Sequence, residues 1–230
     1  MSDSSSGSTS RRQFLKQAGG AASITALTVS GCDSNNDSEP DPETVSFDFS
    51  NDFGVLNYAY ALEQLEAAFY AEATANFYGD LSSVEGQYFR DLAAHEGLHR
   101  DFLAAAIPAL GGELISDLEV DFSNIDFDSR NQVLATSRLL EDTGVSAYNG
   151  AGIYLENPDL LAVAGKIVSV EARHAASIRS LINAGSSDFA GDDVVDPDTG
   201  FDLATAPPNV LSAVAQTGLV VTPLEVTNLE

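Results

Sequence analysis

Residues 95–99 read His-Glu-Gly-Leu-His, and two metal chemistries fit those five letters. As His95-Glu96-x-x-His99 they match a zinc-protease motif, two imidazoles one helical turn apart with a glutamate general base between them. As Glu96-x-x-His99 they are half of a two-metal site in a helical bundle, with a carboxylate and an imidazole on one helix face. The remainder of the chain favours the second. Glu171-x-x-His174 repeats the pattern, and the only histidines are 95, 99 and 174. A zinc protease would need a third ligand from outside its motif, and His174 is already committed to the second pair. His95 is accordingly expected to be a bystander on the rim.

Each pair lies on an apolar stripe. Helical spacing aligns Phe89, Leu92, Glu96, His99 and Leu103 in one segment, and Ala164, Ile167, Glu171, His174 and Ile178 in another. Unpaired buried carboxylates cost several kcal/mol each. A cation offsets that cost directly. Upstream of each pair stands a Glu-x6-Tyr: Glu63 and Tyr70 before the first, Glu141 and Tyr148 before the second. The two halves are near copies in spacing, with offsets 141 − 63 = 78 and 171 − 96 = 75. Counting the helical rise out to each turn and back brings Glu63 level with Glu96, and Glu141 level with Glu171. The expected metal ligands are therefore Glu63, Glu96, His99, Glu141, Glu171 and His174. Glu66 competes with Glu63, because i and i+3 share a face. The repeat favours Glu63, since position 66 corresponds to Gly144. Tyr70 and Tyr148 are read either as hydrogen-bond donors to ligand carboxylates or as core aromatics. Six Glu and His ligands suit two iron ions, with manganese as the alternative, better than structural zinc.

These residues need four helices. Expected are a first from about Phe53 to Tyr78, capped by Asn51 or Asp52, and a second from a Ser82-x-x-Glu85 capping box to Pro108. A third runs from near Ser129 to near Leu155, and a fourth from Asn157-Pro158 to Gly185. Residues 186–206 read as an acidic loop and Pro207 to about Gln216 as a short fifth helix. No strand is expected. Arg138 is read as a solvated residue, and Asp196-x-Asp198-x-Gly200 as a solvated turn, because the later glutamate of a calcium loop is missing.

The constellation resembles the ferritin-like superfamily of carboxylate-bridged two-metal proteins. Within it, LEQLEAAFYAEA, AAHEGLHRDFL, LLEDTGVSAYNGA and VEARHAASIR are similar to the branch that includes plant desiccation-related proteins. The resemblance implies an all-α fold, a four-helix bundle over residues 53–185 built from two antiparallel hairpins joined by one long crossover, and a C-terminal extension over 186–230. Two functions follow as expectations: oxidoreductase chemistry with iron, dioxygen or peroxide, or a non-catalytic stress or envelope role with a structural metal or none. An iron-storage shell is a third, disfavoured by the anchor described next.

The first 32 residues read as an address. Ser10-Arg11-Arg12-Gln13-Phe14-Leu15-Lys16 matches a twin-arginine export signal, and the apolar run from Ala18 to Ser30 is too short to span a bilayer. Val29-Ser30-Gly31-Cys32 resembles a lipobox, which makes Cys32, the only cysteine, the lipidation site and rules out an internal disulfide. Residues 33–52 are expected to form an acidic flexible linker. The implied location is the outer face of the cytoplasmic membrane, with the bilayer as partner through Cys32 and a homodimer allowed.

The chain carries 35 acidic against 10 basic residues, a formal charge of −25. Nucleic acid is a poor partner for such a surface. The acids are spread from Asp33 to Glu230, which suits life at high salt, where repulsion between carboxylates is screened.

Overall fold

The computed structural model describes residues 43–229 of the 230. Arg11, Arg12 and Cys32 lie outside them. The protein is mostly helical. Four long helices, α1 (Asp52–Ala75), α2 (Val84–Ala109), α3 (Arg130–Ala151) and α4 (Pro158–Ile182), form two hairpins, and a short α5 (Pro207–Thr217) follows.

The helix starts follow from side-chain capping. Asn51 accepts from the backbone N–H groups of Phe53 and Gly54, Ser129 from Gln132, and Asn157 from Asp159, with Pro158 in the first turn. The cap of α2 is one residue later than the capping box implied. Ser83, not Ser82, accepts from the N–H of Gly86. Glu85 instead accepts from the Tyr78 hydroxyl and from Arg130, tying the α1–α2 turn to the start of α3. Helix α1 stops at Ala75, earlier than expected, and Phe77 and Tyr78 turn back to pack on Phe89.

Helix α1 is buried on nearly every side, including its polar residues Asn57 and Gln64. The crossover between the hairpins explains this. Asn57 donates to the carbonyl of Glu113 and accepts from Ile115, and one heptad later Gln64 bonds Ser116 and Leu118. Two side chains thus satisfy backbone that would otherwise be stranded against the helix.

Two short strands correct the strand-free expectation and shorten the linker. β1 (Val45–Asp48) pairs in parallel with β2 (Leu224–Thr227), register Val45 to Leu224. Val45, Phe47 and Phe49 alternate inward, and the rings of Phe47 and Phe49 stand edge-on to Tyr58 of α1. The chain there belongs to the core. Gly54 permits the contact: a Cβ on it would lie 1.7 Å from the carbonyl oxygen of Asp48.

Arg179, almost fully buried, forks onto Asp142 of α3 and Asp193 of the acidic loop. Arg138, exposed as expected of a solvated residue, pairs with the same two aspartates. The Asp196 turn closes on itself, its carboxylate accepting from the N–H groups of Asp198 and Thr199.

Candidate metal centre

All six expected ligands meet at mid-height in the bundle. Glu63, Glu96, Glu141 and Glu171 are each 0% exposed, and His174 is 6%. Their ligand atoms form two overlapping sets, each within 4.8 Å: Glu63, Glu96, His99 and Glu171, and Glu96, Glu141, Glu171 and His174. Glu96 and Glu171 belong to both.

The sharing is visible oxygen by oxygen. Glu96 places Oε1 2.7 Å from Nδ1 of His174 and Oε2 3.2 Å from Nδ1 of His99. Glu171 does the reverse, Oε1 2.8 Å from His99 and Oε2 3.5 Å from His174. Glu63 stands 3.5 Å from His99 alone, and Glu141 3.5 Å from His174 alone. Two carboxylates are placed to bridge and two to bind terminally, with one imidazole for each position.

The tyrosines of the repeat hold the terminal carboxylates across the hairpins. Tyr148 of α3 donates to Oε1 of Glu63, and Tyr70 of α1 donates to Oε1 of Glu141 at 2.6 Å. Each donor leaves the other oxygen facing an imidazole. That fixes the carboxylate orientation, as hydrogen-bonded partners do around metal ligands.

Glu66 is buried at 3% but stands outside both sets. Its carboxylate occupies the space a side chain at Gly144 would take, since a Cβ there would lie 2.8 Å from Oε1. The repeat is asymmetric at this point, and that glycine is what admits a fifth carboxyl group.

His95 departs from the expectation of a bystander. It is outside the ligand sets, yet its Nδ1 lies 2.9 Å from Nε2 of His174, with the rings 7° from parallel. Position 95 corresponds to Val170 in the other half, so His99 has no such support. The sequence signal was only adjacency to Glu96, and adjacency did not reveal that the side chain crosses to the other hairpin.

The electrostatics are those of a site built for cations. Burial pushes Glu63 up to about 8 and drives Glu66 and Glu141 well above the usual carboxylate range. Burial opposes charge on His99 too, but the carboxylates of Glu171, Glu63 and Glu96 around its Nδ1 outweigh it and push the imidazole up to about 12. His174 reaches about 12 against the same burial cost, through Glu141, Glu171 and Glu96. Burial raises Glu96 as well, yet the two imidazoles beside its oxygens bring it down to about 2. Without metal, protons on the two imidazoles stand in for cations.

A pair of ions fits this donor set. One or both oxygens of Glu63, Glu96, Glu141 and Glu171, and Nδ1 of His174, are buried with no hydrogen-bond partner of acceptable geometry, although several lie close together. They lie within two sets of ligand atoms, each within 4.8 Å of one another. Native proteins rarely leave so many buried polar atoms unsatisfied without an ion or other reason.

Residues 51–184 match the ferritin-like domain family, and the chain belongs to that family. Comparison with curated proteins gives no match. The fold and the buried Glu/His cluster together define a ferritin-like protein with a candidate two-metal site.

Proposed function

We propose that this chain is an exported, lipid-anchored ferritin-like oxidoreductase whose centre holds two iron ions, or two manganese ions, and acts on dioxygen, peroxide or iron itself. One observation carries the two-metal reading: Glu96 and Glu171 each divide their two oxygens between the two imidazoles, an arrangement that fits two adjacent ions. When bound, such a pair supplies reversible electron transfer to a small oxidant inside a site closed to bulk water.

The chain's own residues do the rest. Glu63 and His99 would hold one ion and Glu141 and His174 the other, with Glu96 and Glu171 able to reach both. Tyr148 and Tyr70 orient Glu63 and Glu141. The carboxyl of Glu66, buried beside the centre and outside the ligand sets, is raised well above the usual carboxylate range by burial and could hold a proton that no bridging ligand has to provide. Export by the twin-arginine route and attachment through Cys32 rest on the residues at 10–16 and 29–32. No helix among the described residues is long and apolar enough to cross a membrane.

The second reading is a non-catalytic envelope protein of the desiccation-related branch, supported by the four similar stretches and by the complete burial of the four glutamates. Metal analysis of native protein, with optical spectra before and after peroxide, separates the two. About two redox-active ions per chain and a spectral change on peroxide support the first. A redox-silent ion or none supports the second. Replacing Cys32 by Ser should permit export and release the protein from membranes; a protein still membrane-bound after a high-salt wash would overturn the anchor.

A further inference from the structure

Between the far halves of α2 and α4 the bundle does not close. A cavity of about 610 Å³ opens there, a volume typical of small-molecule sites. Val55, Leu56, Ala59 and Leu62 of α1 contribute to its lining. Leu103 and Ala106 of α2 face Leu160, Ala164 and Ile167 of α4 across it. From Val55 to the level of Glu63 is eight residues, so the cavity is about 12 Å long.

Its inner end is Tyr148, whose ring lines the cavity and whose hydroxyl donates to Glu63. The cavity is therefore separated from the candidate metal centre by one side chain. Polar groups are few: besides Tyr148 they are Asn157, Asp159 and Lys166, all three exposed. Lys166, the only lysine among the described residues, lies at the end near the centre, five residues before Glu171. Asp159 lies seven residues away towards the other end, about 10 Å along the helix. In a chain of net charge −25, one cation beside the apolar cavity marks where an anionic group would rest.

We propose that this cavity binds the acyl chain of a fatty-acid-like carboxylate, with the carboxylate at Lys166 and the tail running away from the metal centre. The placing of its carboxylate beside a metal centre rests on the proposed two-metal function; its binding does not. The tail end of the cavity is also the end where β1 enters the fold: Asp52 of α1 accepts from the backbone of Glu156 and Asn157 there, and the ring of Phe49 stands edge-on to Tyr154. On the proposed anchor, only about 13 residues separate Cys32 from Val45. That brings the cavity's tail end within a short tether of the bilayer, the natural source of acyl chains.

The test uses the full chain carrying Cys32→Ser, so that its own lipid does not compete, and calorimetric titration in molar salt. Octanoate, decanoate and dodecanoate should each bind once per chain, affinity rising about fourfold per buried CH₂. Dodecan-1-ol should bind more weakly than dodecanoate, and Lys166→Gln should erase that preference while retaining chain binding. Ala164→Phe should weaken dodecanoate at least tenfold; if that variant melts early, Ala106→Phe is the second filling variant. Absence of saturable binding, affinity independent of chain length, or binding unaffected by a filling variant that melts normally would overturn the proposal. Metal content of the same samples is read separately. With Mn²⁺ loaded, the C2 methylene of bound dodecanoate should relax faster than its terminal methyl, and the opposite order would overturn the orientation. Chain binding without metal uptake would count against the two-metal reading alone.

Discussion

Tyr148 joins two environments: its hydroxyl donates to Glu63, 85 residues away in sequence, while its ring forms the inner wall of the apolar cavity. Tyr70 and Glu141 make the corresponding pair in the other direction. Removing either hydroxyl strands one terminal carboxylate. Tyr148→Phe and Tyr70→Phe should each weaken one of two Mn²⁺ binding steps by about 10- to 100-fold and leave the other near its original value. Titration calorimetry on both variants checks this. Two unchanged steps would show that the tyrosines merely fill the core.

The protonation of the metal-free centre sets the sign of its pH dependence. Glu63 rises from 4.5 to about 8, so its contribution is complete below pH 4.5 and lost as pH climbs through 8. His99 and His174 rise from 6.5 to about 12 and act in the same direction at higher pH. Glu96, lowered from 4.5 to about 2, contributes above 4.5 and is lost as pH falls through 2. Metal-free protein should therefore melt highest near pH 4.5 and lose Tm steadily from there to pH 9. Metal-loaded protein should hold its Tm over that range, and uptake at pH 7 should release protons, including one each from His99, His174 and Glu63. A metal-free Tm that is flat or rising from pH 5 to 9 would contradict this account of the site.

Most of this centre was legible because its chemistry conflicts with its surroundings. Glu96, His99, Glu171 and His174 stand on apolar stripes, and the doubled spacing locates Glu63 and Glu141. The first strand was not legible. Val45, Phe47 and Phe49 do alternate, but over only a few residues amid acidic ones, and their pairing partner lies about 180 positions away. The Ser82 cap was misplaced because Ser82 and Ser83 are chemically equivalent and the backbone decides between them. The cavity could not be read at all, since it is a volume that side chains leave unfilled. His95 shows the limit most clearly: its residue type was noticed, but its contact depends on the distance between two helices.

Surface charge gives an independent prediction. Cleavage before Cys32 would remove three basic residues and one acidic one, leaving 7 − 34 = −27. Self-repulsion among these carboxylates destabilises the compact state unless salt screens it, with a Debye length of ~3 Å at 1 M and ~10 Å at 0.1 M. Tm should fall substantially as salt is lowered from molar to about 0.1 M. A flat response would contradict adaptation to high salt.

The most direct measurement is metal per chain, made on wild type, His99→Ala, His174→Ala and His95→Ala after identical loading with Fe²⁺ or Mn²⁺. Two ions per wild-type chain are predicted. His99→Ala and His174→Ala should each lose at least one ion and lower Tm, because each leaves buried glutamates short of a positive partner. His95→Ala should keep both ions, with weaker affinity only at the position His174 serves, where its imidazole contact is lost. A single ion per wild-type chain, lost in His95→Ala and kept in His174→Ala, would contradict the two-metal centre and return residues 95–99 to the zinc-protease reading.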